Sequence, residues 1–150
     1  MSELDQLTLR VPPPSAPAPS DEGELELPAD YRALIARYGL GNLAGLRLIP
    51  PADIPYEAVR QRSALVGIET PYAPEDLLPW GIDESGNVVW WLMQGDWPVV
   101  ANEARGEEWH HHDGGAVSFL LALLSGRETS VFLVIEGDDF EPYSSSERPG

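Results

Sequence analysis

The stretch most suggestive of chemistry is His110-His111-His112-Asp113. Imidazole nitrogens bind divalent metals and exchange protons near neutral pH. Three adjacent histidines cannot converge on one ion from a helix, and on a strand only His110 and His112 share a face. The i, i+4 spacing of helical zinc ligands is absent. The run therefore reads as a polar, pH-sensitive stretch before a helix, and no metal is expected. Nucleophilic chemistry has no better support. Serine, histidine and aspartate all occur, but no Gly-x-Ser-x-Gly elbow does. The chain has no cysteine, which removes thiol nucleophiles, disulfides and Cys-ligated metals. The carboxylate pairs Asp83/Glu84, Glu107/Glu108 and Asp138/Asp139 are adjacent in turns. That is the pattern of solvated surface charge, not of an acid and a base with separated pKa values. The glycines Gly39, Gly41 and Gly45 follow a helix and lack a Lys-Ser/Thr pair, so they are not a phosphate loop. There is no dinucleotide fingerprint and no EF-hand. Neither catalysis nor a cofactor is expected.

Charge narrows the partners. The net charge is -16, from 25 acidic and 9 basic residues in 150. Nucleic acids and anionic membranes would be repelled, whereas a basic partner would be drawn in. The same charge also serves solubility or a salt-adapted proteome. Hydrophobic residues make up 43% and charged residues 23%, which suits one globular domain with a proper core. No run approaches the ~18 apolar residues of a membrane span. Met1-Ser2-Glu3-Leu4-Asp5 lacks the basic and apolar regions of a signal peptide, so a cytoplasmic location is expected.

The elements that would position any site are organised around residues 78–100, which hold four of the five tryptophans. Asp83-Glu84-Ser85-Gly86-Asn87 is turn chemistry, with Gly86 free to take positive φ. Residues 88–93 form a β-branched and aromatic strand. Pleat alternation places Val88, Trp90 and Leu92 on one face and Val89, Trp91 and Met93 on the other, so the strand is expected to be central and covered on both sides. Gln94-Gly95-Asp96 turns the chain back through Trp97 to Val100. Trp80, Trp90, Trp91 and Trp97 could make an aromatic cage or an interface anchor. A core cluster is the commoner use, each indole N–H then needing a partner. Trp80, between Pro79 and Gly81 at a loop exit, is the one expected at the surface.

Before this hairpin, residues 1–26 form a Pro/acidic-rich lead-in, in which Leu4, Leu7 and Leu9 could dock a short turn. Tyr31, Leu34, Ile35 and Tyr38 mark one face of a helix over residues 28–38, with Pro28 at its first position, Asp30 in its first turn and Gly39 after its end. Residues 46–49 make a short strand. Asp53 caps a helix over residues 55–66 whose apolar stripe is Tyr56, Val59 and Val66. Trp109 falls in a short strand. Asp113 caps a helix over residues 114–125, ended by Gly126, with Val117, Leu120, Leu121 and Leu124 on one face. Residues 131–135 read as a last strand, and residues 137–150 as an acidic, frayed tail. Tight hairpins need antiparallel pairing. The class is α+β, a single domain over residues 27–136 with helices packed on an antiparallel or mixed central sheet.

The ordered pieces resemble the SUKH superfamily, which groups fungal cell-wall-assembly regulators (the Smi/Knr type) with bacterial immunity proteins. The resemblance rests on Leu27-Pro28-Ala29-Asp30-Tyr31-Arg32 opening a helix that ends Tyr38-Gly39. It continues through Pro79-Trp80-Gly81, Gly86 to Trp91 with Trp90, and Gly95-Asp96-Trp97-Pro98-Val99-Val100, and ends with Phe119-Leu120 through Leu124 to Gly126. It covers residues 27–126. Family members often carry a helix before the first motif. Here that region is short and Pro/acidic-rich, so the helix is expected to be missing or reduced. The hairpin turn is also shorter than the family's Gly-Asp-Pro-Asp-x-Trp form. The resemblance implies an α+β, non-catalytic binding protein. Its bacterial role would be to bind and block a cognate toxin of a polymorphic or contact-dependent system, such as a nuclease. A regulatory scaffold like the fungal relatives is the alternative. With the acidic charge, it suggests occlusion of a basic cleft. The candidate contacts are then Asp83, Glu84, Asp96, Glu103, Glu107 and Glu108, with Trp80 and Trp109 as anchors.

Overall fold

The computed structural model describes residues 2–17, 26–104 and 108–142. Among the described residues four helices, α1 (Glu3–Arg10), α2 (Ala29–Tyr38), α3 (Ile54–Ser63) and α4 (Ala116–Ser125), accompany seven strands. The strands are β1 (Gly41–Leu43), β2 (Leu46–Leu48), β3 (Leu77–Ile82), β4 (Val88–Leu92), β5 (Val99–Asn102), β6 (Trp109–His112) and β7 (Phe140–Pro142). They form one antiparallel sheet in the order β6-β5-β4-β3-β2-β1-β7. The fold is α+β, with helices packed on an antiparallel sheet.

Strand β4 lies inside the sheet and is buried along its whole length. Its alternation separates two cores. Val89 and Trp91 join the larger one, beneath α1, α2 and α4, while Val88, Trp90 and Leu92 join a smaller one with Leu65, Leu77 and Val100. Helix α2 buries Tyr31, Leu34, Ile35 and Tyr38, as its spacing predicts. Pro28 stands at its N-cap rather than its first turn. Gly39, at φ 80°, ends it in a conformation that favours glycine.

Several elements differ from the sequence reading. The lead-in contains a full helix. The Ser2 hydroxyl accepts from the Asp5 N–H at 3.1 Å, and the Ser2 N–H reaches back to the Asp5 carboxylate at 3.4 Å, a reciprocal cap for α1. Those bonds hold the Asp5 carboxyl below its ordinary range. Leu7 is fully buried, whereas Leu9 faces solvent. Arg10 donates to the Leu124 carbonyl, and the Tyr38 hydroxyl donates to that of Val11, so the C-terminal end of α1 is tied to α4 and to α2.

Helix α3 runs over Ile54–Ser63 and buries Ile54, Glu57 and Ala58, while the expected stripe of Tyr56, Val59 and Val66 is exposed. The small Ala58 side chain allows close approach to the sheet, and the Arg62 Nε donates to the Leu77 carbonyl on β3 at 2.9 Å. Helix α4 begins at Ala116 with Gly115 at its N-cap. Its cap comes from a distant helix: the Asp30 carboxylate accepts the Val117 N–H at 3.1 Å. A Cβ on Gly115 would lie 2.4 Å from that carboxylate, so the site needs glycine. Asp113, the expected cap, instead meets His111 Nε2 at 2.7 Å.

Residues 131–135 are not a strand. Side chains rather than a ladder hold them, since Asn87 Nδ2 donates to the Phe132 carbonyl and Val134 N–H to Asp83. The edge place beside β1 goes to β7, within the tail expected to fray. The Gly39–Gly45 connection (residues 39–45) contains β1, joined to β2 by Ala44 and Gly45, both at positive φ. Strand β5 starts at Val99, and Trp97 sits in the turn at φ 56°. The histidine run is not a loop but strand β6. Among the described residues no helix is long and apolar enough to cross a membrane.

Candidate functional site

The acids nominated as contacts divide sharply. Asp83 opens a turn whose Gly86 takes φ 86°. This turn points the carboxylate inward, where it is 5% exposed. It accepts from the N–H groups of Ser85 and Asn87, from Asn87 Nδ2 and from the Val134 N–H, all within 2.8–2.9 Å. Every lone pair is committed, so Asp83 is a structural clasp and not a partner contact. Trp80 is also corrected. Pro79, Trp80 and Gly81 lie within β3, not at a loop exit, and Trp80 is fully buried. It stacks on Trp91 and meets Tyr31 and Phe119 edge-on. A Cβ at Gly81 would approach the Leu46 side chain to 2.9 Å, so β2 packs where only glycine leaves room.

Glu84, one residue on, is exposed and lines a groove of about 260 Å³. Glu136, Asp139 and Glu141 line it too, together with Asn42, Ala44 and Val134. The turn before β7 is held against β1 by bonds from Ala44 N–H to the Asp139 carbonyl and from Glu136 N–H to the Ala44 carbonyl. Four acidic residues thus line one hollow with no cation in its lining. Asp139 and Glu141 were missed because residues 137–150 were read as frayed, and Glu136, the last residue before them, was missed with them. The signal was Gly137-Asp138-Asp139, a turn directly before the apolar Phe140.

Trp109 and Glu103 belong to a second groove, of about 360 Å³, on the face that α3 covers. Trp90 supplies its floor, and its Nε1 donates to Asn102 Oδ1 at 2.6 Å. Trp109 is half-buried and meets Tyr72 edge-on at 5.4 Å. Glu108 is exposed beside it, and Glu107 lies outside the described residues. Asp96, exposed in the β4–β5 turn, lines a third hollow with Gln94 and Asp113. The nominated residues therefore do not form one surface.

The histidines obey strand geometry. His110 Nε2 and His112 Nδ1 both meet the Glu128 carboxylate, at 2.5 and 2.6 Å, and both rings pack on Phe119. His111 points the other way, to the Tyr72 hydroxyl and Asp113. Desolvation pushes the Glu128 carboxyl up, but the hydrogen bonds from His112 and His110 outweigh it and hold it below its ordinary value. The second nitrogen of His112 lies 3.0 Å from Ser118 Oγ. Ser118, His112 and Glu128 thus reproduce the hydrogen-bond order of a hydrolase triad. Gly114 packs beside the pair so closely that a Cβ there would lie 2.8 Å from His112 and 2.9 Å from Ser118. The helix N–H nearest at hand, that of Val117, is taken by Asp30. Among the described residues no group of three His, Cys, Asp or Glu side chains could hold a metal ion. The chain matches no protein-family model, no curated protein and no solved structure.

Proposed function

We propose that this chain is a non-catalytic binding protein of the SUKH type that acts as a bacterial immunity protein, engaging and neutralising a basic protein toxin. The observation that carries the reading is the groove lined by Glu84, Glu136, Asp139 and Glu141 without a cation. Like charges crowded around one hollow repel one another, and a lysine- or arginine-rich surface relieves that repulsion. The net charge of -16 adds long-range attraction, which raises the rate of encounter. Two features of the fold support the family resemblance. A helix, α1, precedes the Leu27-Pro28 motif, and the Pro79-Trp80-Gly81 and Gly95-to-Val100 motifs flank the central strand β4. A toxin cleft built for phosphates is a fitting target, because carboxylates can occupy the positions the phosphates would take.

The test is a pull-down from source-cell lysate with the tagged full-length chain, washed at low and at high salt. The expected result is a basic protein held at low salt and released at high salt. Expressed alone it should arrest growth, and co-expressed with this chain it should not. Recovery of a housekeeping enzyme complex would place the chain among regulatory scaffolds instead. A toxin retained equally by a variant with Glu84, Glu136, Asp139 and Glu141 all changed to Gln would overturn the electrostatic part of the proposal.

A further inference from the structure

The second groove has a composition that the first lacks. Its volume of about 360 Å³ is near the lower end of ligand pockets, which run from about 300 to 1,000 Å³. That is room for one long side chain. Leu65, Ile68 and Val88 give it apolar lining, beside the amides of Gln61 and Asn102. Two tryptophans line it from different strands, Trp90 buried beneath it and Trp109 half-buried at its rim. The edge-on contact with Tyr72 sets the plane of Trp109. The Trp90 N–H fixes the Asn102 amide, whose oxygen keeps a second lone pair. One lining residue is charged, Glu103, and no arginine pairs with it among the described residues. The cations of the adjacent helix are engaged, Arg60 with Glu57 at 3.4 Å and Arg62 with the Leu77 carbonyl.

We propose that this groove seats an arginine side chain presented by a basic protein partner. The inference rests on the reading of the chain as a binder of a basic protein, and it names the anchor. An aliphatic stem would lie against Leu65 and Ile68. The planar guanidinium would stack on the half-buried Trp109 indole and donate to the Glu103 carboxylate and the Asn102 oxygen. Lysine fits less well, since a compact ammonium cannot stack and bond bidentately at once. A second copy of this chain is disfavoured as the source, because it would bring -16 against -16.

The test follows the indole N–H signals in a ¹H–¹⁵N NMR spectrum of the full chain, assigned with Trp90→Phe and Trp109→Phe. The probes are N-acetyl-arginine amide and its neutral isostere N-acetyl-citrulline amide. The expected result is a saturable shift of the Trp90 and Trp109 signals with the arginine probe at millimolar concentration, and none with citrulline. Glu103→Gln should weaken that response roughly tenfold. Glu75→Gln, which removes the same charge from an exposed turn, should not. An equal response to both probes, no response, or an undiminished response in Glu103→Gln would each overturn the proposal. The failures stay distinguishable. A basic toxin captured equally well by Glu103→Gln would remove the anchor and leave the immunity function. An intact arginine response with no basic toxin to be captured would do the reverse.

Discussion

Trp90 and Trp91 are neighbours on β4 that face opposite ways, and each reports on the side it faces. Trp91 enters a closed face roofed by three helices, where it stacks with Trp80 and meets Tyr31 edge-on at 5.1 Å. There neither Trp91 Nε1 nor Trp80 Nε1 has a hydrogen-bond acceptor. Leaving a buried N–H unsatisfied costs roughly 1–3 kcal/mol, so the packing of this face must more than offset it. Trp90 enters the face that α3 covers only in part. Its N–H is satisfied by Asn102, at the floor of an open groove. The closed face uses aromatic mass for stability at the expense of polar satisfaction. The open face satisfies the Trp90 N–H and keeps a second indole, Trp109, half-buried at its rim, the arrangement of a recognition site.

The sharpest way to break this comparison is to truncate one tryptophan on each face. Trp80→Ala should destabilise by about 3–5 kcal/mol, since it empties a fully buried site. Trp109→Ala, at the half-buried rim of the open groove, should cost about 1 kcal/mol. Urea unfolding followed by circular dichroism measures both. Equal losses would mean that the open face carries as much of the fold as the closed one.

The same contrast runs inside a single turn. Asp83→Ala would strip the acceptor from four N–H groups and should cost roughly 3 kcal/mol. Glu84→Ala, on the next residue but pointing outward, should change stability by less than about 0.5 kcal/mol. It should instead weaken partner capture at low salt. A stability loss at Glu84 matching that at Asp83 would erase the division between clasp and contact.

Adjacent acids with opposite fates show where sequence reading stops. Period-two alternation in β4 and the i, i+3, i+4, i+7 set in α2 were legible, because each face of those elements has one clear partner. Helix α3 defeated the same logic. It seats a small residue, Ala58, against the sheet and leaves Tyr56 and Val59 outside, which no periodicity signals. Helix α1 was hidden by the proline run that follows it, although Ser2 and Asp5 already had the spacing of a reciprocal cap. The acid-lined groove draws its carboxylates from the Asp83–Asn87 turn (residues 83–87) and from a tail pinned by β7, so only tertiary pairing reveals it. Asp83 and Glu84 are chemically alike in sequence. The turn geometry alone decides which faces inward.

Strand β6 carries the comparison to the sheet edge, with His110 and His112 on the closed face and His111 on the open one. Glu128 titrates below its ordinary value when folded, so its contribution to stability is fully present above the unfolded carboxyl pKa. It is lost as pH falls through the lower, folded value. Stability measured from pH 6 down to pH 3 should therefore fall more steeply in the wild type than in Glu128→Gln, which cannot titrate. Parallel curves would show that the clamp makes no net contribution.

The smallest expected effect is the most discriminating for function. Ser118, His112 and Glu128 have the hydrogen-bond order of a nucleophile, its base and an orienting acid. A working triad also needs room for substrate at the hydroxyl and free donors for the developing oxyanion. Here Gly114 packs against the hydroxyl and Asp30 holds the Val117 N–H. The network fastens β6 to α4 and to the segment after it. Hydrolysis of p-nitrophenyl acetate by the wild type should equal that by Ser118→Ala, both at the level expected of free surface histidine. A rate in the wild type that Ser118→Ala abolishes, with its fold intact by circular dichroism, would turn the closed face from a scaffold into an active site.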